Sequence, residues 1–355
     1  MATGLCKEPR VSRYLLFATE LYALPILRPL QAAIRARGGE AAWFLPKAAA
    51  THLRDGERRL ADAGEVAAWA PAAVLAASNW APHFFPGAKV QLFHGFNVEK
   101  RADERGHFRI RGLFDLYCTQ GPATTVPFRE LAREHGHFAV VETGWPKLDP
   151  LFAPDGGEAA ALRPSDGRPV VLYASTFTES LSSAPLLREE IAREVASGER
   201  YWLLTLHPKS DPQWVAQYRT LAGPNARFVE ADDLIPALRA ADVLVSDTSS
   251  VVSEFVVQGK PVVTLRNRAP KPHMIDIQAP EQLGAALAQA FAPSPALRAE
   301  LAAYADSIHP WRDGGASGRV LDAVADLLDG RLGPLARKPA NLWRKWQIRS
   351  RVKRF

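Results

Sequence analysis

At about 150 residues per domain, a chain of 355 residues has room for two. Its 44 Lys and Arg against 38 Asp and Glu give a formal net charge of +6, yet eight of those bases and no acids lie between Arg337 and Phe355. Residues 1–336 therefore carry 36 bases against 38 acids, which excludes a nucleic-acid-binding body and places the high pI in a tail; 47% hydrophobic and 23% charged residues exclude a disordered chain.

The first 145 residues alternate short apolar runs with helical stretches. Tyr14–Ala18 reads as a strand, and Ile26–Arg37 as a helix stopped by Gly38-Gly39. Ala41–Leu45, Ala72–Ala76, Lys89–Phe93, Leu113–Cys118 and Phe138–Glu142 read as further strands, with Glu57–Asp62 helical. Pro, Gly and Asp then crowd Asp149–Gly157 and Arg163–Pro169, as in a linker. The alternation restarts with strands at Val170–Ala174, Tyr201–Leu206, Arg227–Glu230, Asp242–Ser246 and Lys260–Leu265. Helices are expected at Leu186–Ala196, Gln213–Leu221, Leu234–Ala240, Ser249–Gln258, Glu281–Phe291, Leu297–Ala305 and Gly318–Leu328. Strands alternating with helices imply parallel sheets covered on both faces. The expected architecture is α/β, with two Rossmann-like domains, 1–148 and 149–336, facing each other across a cleft, and a basic tail at 337–355. Neither half carries G-x-G-x-x-G or a P-loop, which argues against a dinucleotide or P-loop enzyme.

Cys6 and Cys118 are too few for a disulfide scaffold or a cysteine zinc site and suit a reducing compartment. The longest apolar stretch, Val66–Ala77, is broken by Pro71 and too short to span a membrane. Tyr14–Ala18 is too short for a secretory h-region. A cytoplasmic protein is expected.

The most informative segment is Val243–Phe255, where an apolar strand ends in Asp247, Thr248, Ser249 and Ser250 and a helix follows. These are N-cap residue types, and their hydroxyls with the free amides of a first helical turn make an anion site at the carboxyl end of a sheet. The same residues suit a plain capped helix with Glu254 as capping-box partner. His94 and His207 hold matching places just past strand ends, in Phe93-His94-Gly95-Phe96 and Leu206-His207-Pro208-Lys209. An imidazole there can take a proton from an attacking hydroxyl or donate to a phosphate oxygen. Gly95 would let the backbone approach a bound group. Lys100 and Arg101 could pair with a pyrophosphate, although Glu99, Asp103 and Glu104 beside them also suit a solvated charge run. His135 and His137 have no carboxylate at metal-ligand spacing. No metal site or cofactor is evident, and a loosely held magnesium ion would leave little trace in sequence.

Several motifs follow one another along the chain: Phe93-His94-Gly95 with Lys100-Arg101, Gly144-Trp-Pro-Lys-Leu-Asp149, Leu172-Tyr-Ala-Ser-Thr176, His207-Pro208, Ser246-Asp-Thr-Ser-Ser250 with Gly259-Lys-Pro261, and Asp313-Gly314 with Arg319. Taken together and in this order, they resemble the CDP-glycerol glycerophosphotransferase family of teichoic-acid and capsule enzymes. The resemblance implies a GT-B fold. It also implies transfer of a polyol-phosphate from a CDP-activated donor to a glycan or lipid-linked acceptor, with CMP leaving. His94 would then be the general base and His207 would hold or protonate the pyrophosphate. Gly95, Lys100, Arg101, Asp247, Thr248, Ser249, Ser250, Glu254, Asp313 and Arg319 would serve the donor and its phosphates. The chain departs from the family pattern at Phe96, Thr205, Thr248 and Ser253-Glu254, which brings other activated polyols or sugars into range. The rival is a sugar-nucleotide GT-B enzyme, a glycosyltransferase or a UDP-N-acetylglucosamine 2-epimerase-like protein, whose pattern Ser246–Arg266 also fits. A non-catalytic protein gripping RNA or an acidic polymer through the tail is disfavoured by the charge of the body.

In the tail, Leu342, Trp343 and Trp346 share one side of a helix, while Ile348, Val352 and Phe355 lie on another. Trp interleaved with Lys and Arg is what membrane interfaces select. Peripheral attachment of Arg337–Phe355 to the anionic inner face of the cell membrane is the expectation, and no nucleic-acid partner is.

Overall fold

The computed structural model describes residues 12–96, 107–154, 156–230, 233–353 and 355. The chain forms two units, Met1–Asp149 with Asp313–Phe355, and Pro150–Arg312.

In the first unit the order is β1 (Arg13–Phe17), α1 (Leu24–Ala36), β2 (Glu40–Phe44), α2 (Lys47–Ala50), α3 (Ala63–Trp69), β3 (Ala73–Ala76), β4 (Ala88–Leu92), β5 (Leu116–Thr119), α4 (Pro122–His135) and β6 (Ala139–Glu142). The strands form one six-stranded sheet in the order β2-β1-β3-β4-β5-β6, parallel throughout. Leu15–Phe17 and Ala73–Ala76 are almost wholly buried, because helices cover both faces and an alternating polar side has nowhere to face water. The expected helix at Glu57–Asp62 is absent. Asp62 instead caps α3, its carboxylate accepting from the amides of Gly64 and Glu65, so the helix begins where the backbone donors find that acceptor.

α5 (Asp149–Phe152) carries the chain into the second unit. There follow β7 (Val170–Ser175), α6 (Ala184–Ser197), β8 (Tyr201–Leu206), α7 (Pro212–Arg219), β9 (Ala226–Phe228), α8 (Leu234–Ala240), β10 (Val243–Ser246), α9 (Val251–Val256), β11 (Val262–Leu265), β12 (Met274–Ile277), α10 (Leu283–Phe291) and α11 (Pro295–Ile308). This six-stranded parallel sheet runs β12-β11-β10-β7-β8-β9. Counted from its own first strand, that is the 3-2-1-4-5-6 Rossmann order, whose reversal between β7 and β10 opens a crevice at the carboxyl ends.

Two expectations at the C-terminus need correction. The second domain was expected to run to residue 336, but the chain returns to the first unit at Asp313. There α12 (Ala316–Leu328) buries Val320, Leu321 and Val324. Nor is 337–355 a free basic tail, because it contains α13 (Leu342–Val352), docked on the first unit. Ile348 and Val352 enter the aromatic core, and the Phe355 ring stacks on Phe17 and Phe44 at 5.9 and 5.6 Å. Lys338 pairs with Asp115 at 2.7 Å, and Arg344 donates to the Arg111 carbonyl at 2.8 Å. Arg349 and Arg351 lie over the rings of Phe84 and Trp80. The bases hold the helix down while its two buried aliphatic side chains supply apolar burial, about 1.5–3 kcal/mol each.

Candidate active site

At the carboxyl edge of the second sheet, the β7–β10 crevice is organised by Asp247. Its side chain is wholly buried and accepts from the Thr176 amide at 2.9 Å, the Ser183 amide at 2.8 Å and the Ser183 hydroxyl at 2.9 Å. Burial raises its pKa against the pull of those donors. Asp247 therefore ties the loop after β7 to the end of β10, and its lone pairs are spent on the protein rather than turned to a ligand. Ser246 is likewise committed, donating to the Ala174 carbonyl at 2.6 Å.

The next residues are more open. Thr248 and Ser249 are half-buried and Ser250 is exposed. The Thr248 hydroxyl accepts from the Arg268 amide at 3.0 Å, and Asn267 donates to the Asp247 carbonyl at 3.1 Å. The loop after β11 is thus laced to the loop after β10. Arg266, at φ +49, turns that loop in the left-handed region with its guanidinium donating to the Gln278 carbonyl. The expected helix from Ser249 starts only at Val251 and is six residues long. Its N-cap, Ser250, has helical dihedrals and makes no side-chain cap. Glu254 is buried within this helix, 3% exposed, and the alternative of a plainly capped helix with Glu254 as capping-box partner finds no side-chain cap at Ser250. Hydroxyls and loop amides, not a long helix dipole, are what this turn offers an anion.

His207 stands at the same edge, exposed just past β8. Its Nδ1 accepts from the Lys209 amide at 3.0 Å, so the neutral ring carries its hydrogen on Nε2. Burial, then the nearby Lys209 charge, lowers its pKa. Protonation would also destroy the Lys209 bond. The Phe177 ring packs against the imidazole, centroids 4.5 Å apart, leaving a neutral, oriented Nε2–H donor.

The first unit carries the other histidine. His94 is exposed past the end of β4, with the Tyr22 ring 5.1 Å from its own. The segment around it is held by Trp145, whose indole donates to the Phe93 carbonyl and whose ring meets Phe96 edge-on at 4.9 Å. Gly144 permits this approach by adopting φ +78. Among the described residues, a Cβ on Gly95 would meet nothing within 4 Å.

The last residue of the Gly144–Asp149 motif is turned to the protein itself. The Asp149 carboxylate accepts from the amides of Ala316 and Ser317, both at 2.8 Å, capping α12. Arg319 forms a bidentate pair with Asp313 and donates to the Thr143 carbonyl at 2.8 Å. The guanidinium holds the Asp313 carboxyl at about 2. Asp313 and Arg319, expected to serve the donor, form a clamp inside the first unit. The sequence reading missed Trp145 and Thr143 as partners, because a buried indole N–H and a backbone carbonyl leave no motif of their own. Lys100 and Arg101 lie outside the described residues. Among the described residues no group of three or more His, Cys, Asp or Glu is placed to hold a metal ion.

Residues 114–268 match the model of the family described as CDP-glycerol:poly(glycerophosphate) glycerophosphotransferase. The family resemblance of the motifs is borne out. The matched segment includes Gly144–Asp149, His207 and Ser246–Ser250, whereas His94, Asp313 and Arg319 lie outside it. No curated protein sequence matches the chain. Among solved structures, the wall teichoic acid polymerase TagF is similar at TM-score 0.63 and 16% identity, over 91% of this chain and 90% of that one. A protein assigned as a UDP-N-acetylglucosamine 2-epimerase from Listeria monocytogenes is similar at 0.64 and 14%, over 90% and 97%. A glycosyltransferase from Rickettsia africae gives 0.52 and 11%, over 90% and 99%. These likenesses bear out the GT-B-type fold class and, at such identities, speak for the fold alone. The family match, not the fold, separates the transferase reading from the epimerase one.

Proposed function

We propose that this chain transfers a glycerol-phosphate, or related polyol-phosphate, from a CDP-activated donor to a hydroxyl of a glycan or lipid-linked acceptor in cell-surface polymer synthesis, releasing CMP. The observation that carries this reading is the family match over the segment that holds His207 and the Ser246–Ser250 turn.

The acceptor oxygen attacks the β-phosphorus, and the bond from that phosphorus to the bridging oxygen breaks. His94 takes the hydroxyl proton as general base. CMP leaves with the bridging oxygen, and the Nε2–H of His207 donates to the charge that develops on the departing phosphate. Thr248, Ser249 and Ser250 meet phosphate oxygens through hydroxyls and loop amides. Asp247 acts by positioning, since it ties the loop after β7 to the strand end that carries these groups. Such a transfer depends on positioning and charge stabilisation rather than a covalent enzyme intermediate.

The exposed face of α13 supports a membrane surface as partner. Ile348 and Val352 are buried, but Leu342, Trp343 and Trp346 are 76%, 68% and 60% exposed. The two indoles stack at 5.0 Å. An exposed aromatic pair on a helix rich in Arg and Lys suits an anionic membrane surface, and no helix among the described residues is long and apolar enough to cross one.

Incubating the protein with CDP-glycerol, CDP-ribitol, CMP-sugars and UDP-N-acetylglucosamine, and identifying the nucleotide released, tests the activity. CMP from a CDP-polyol is the expected product. UDP release instead would assign the chain to the sugar-nucleotide class.

A further inference from the structure

At the carboxyl ends of β1, β2 and β3, the first unit holds a cavity of about 480 Å³. Small-molecule sites run roughly 300–1,000 Å³. The order of this sheet reverses between β1 and β3, and open α/β sheets bind ligands at that place. The floor is fixed from within. The Ser78 hydroxyl donates to the Trp80 carbonyl at 2.7 Å, and buried Gln91 donates to the Asn79 Oδ1 at 3.3 Å. That leaves the Asn79 amide hydrogens as donors at the cavity.

The walls are aromatic and rigid. Trp80 meets Phe17 edge-on at 5.0 Å and Phe355 at 6.1 Å. Phe355 is itself stacked on the core, and Tyr22 forms another part of the lining. Around these faces stand Glu20, Asn79 and Arg351, all exposed. An acceptor, an amide donor and a guanidinium match hydroxyl groups, each of which both donates and accepts. Glu20 and Arg351 offset each other's charge, so the lining favours a neutral ligand over a free phosphate. Tyr22 also packs its ring against His94, which puts the cavity next to the proposed base.

We infer that this cavity seats the terminal sugar or polyol of the acceptor, a neutral polyhydroxylated unit, and that Asn79 and Arg351 select it. The inference rests on the transferase reading above and deepens it. It also gives the C-terminal helix a second role, because the segment that presents Trp343 and Trp346 also supplies Arg351 and Phe355 to the cavity.

The test uses the full chain and ligand-observed saturation-transfer NMR with glycerol, glycerol 3-phosphate, glucose and N-acetylglucosamine, beside a CDP-glycerol titration. At least one neutral probe is expected to bind saturably. Asn79→Ala and Arg351→Gln should each raise its Kd about tenfold, the scale of one lost hydrogen bond to a charged or oriented group, with CDP-glycerol binding unchanged. Both side chains are exposed, and thermal melts confirm folding of each variant. Absence of any neutral-probe signal from the intact chain, or an unchanged Kd in both variants, overturns the inference. Tighter binding of glycerol 3-phosphate than of every neutral probe, lost in Arg351→Gln, overturns its neutral character. If sugar binding behaves as expected but CDP-glycerol yields no CMP, the transferase reading fails and the site remains.

Discussion

The Trp145 indole donates to the carbonyl oxygen of Phe93 at 2.6 Å, across 52 residues of sequence. The residue before His94 is thereby pinned by a side chain that is 1% exposed. A base on a strand-end loop depends on such a brace, since small misplacement of a catalytic group costs large factors in rate. Trp145→Phe keeps the ring against Phe96 and leaves the Phe93 carbonyl without its donor. Loss of about 1–3 kcal/mol of stability is expected, with kcat for CMP release lowered at least tenfold and donor KM unchanged. Wild-type kcat in a folded variant would show that His94 does not need the brace.

His207 is oriented as a neutral donor, which distinguishes two substitutions. His207→Ala should lower kcat by about 10²–10³, the usual loss for one donor to developing charge. In His207→Gln the carboxamide can present an N–H near the place of Nε2, and about a tenth or more of the lost rate should return. Equal losses in both variants would argue that the ring transfers a proton rather than donating a hydrogen bond.

The docked helix changes how membrane attachment is tested. Deleting 342–355 removes Ile348, Val352 and Phe355 from the core and should destabilise the first unit by several kcal/mol, about 1.5–3 for each large apolar side chain. The double variant Trp343→Ser/Trp346→Ser touches only exposed rings and should keep the wild-type melting temperature. Its sedimentation with anionic vesicles should fall at least fivefold. Undiminished sedimentation would remove this face as the attachment surface.

In the second unit, His273 is 3% exposed and stacks on Tyr304 at 3.7 Å, and burial pushes its pKa down to about 4. In the unfolded chain it takes up a proton near pH 6.5. Between those values the unfolded state binds more protons, so this stabilising contribution is complete above about pH 6.5 and is lost as pH falls toward 4. His273→Phe, which keeps an aromatic partner for Tyr304, should flatten the decline in urea midpoint between pH 7.5 and pH 5. An unchanged slope would show that His273 is not the group responsible.

The buried parallel strands were legible because each reads as a nearly continuous apolar run ending in turn residues. β12 escaped notice because a short edge strand, Met274–Ile277, buries only alternate residues. α4 was not singled out either, since it begins at Gly121-Pro122 and buries Thr124, Thr125 and Phe128 rather than a broad aliphatic stripe. The strand-end position of both histidines followed from sequence alone. The separate duties of Asp247, Asp313 and Arg319 did not, because a carboxylate or guanidinium reads the same whether it faces a ligand or a neighbouring loop.

The local sequence determined the fold class, the strand-end placement of His94, His207 and Ser246–Ser250, and the family resemblance, because these depend on residue order within short segments. It also located the excess charge between Arg337 and Phe355 and sorted the apolar residues there onto two helix faces. Only the tertiary structure decided which face is used inward. The aromatic core of the first unit offers a complementary surface to Ile348, Val352 and Phe355, and burial on one side leaves Leu342, Trp343 and Trp346 to the other. Burial is a property of two surfaces meeting, and one of them lies more than 300 residues away in the chain, at Phe17.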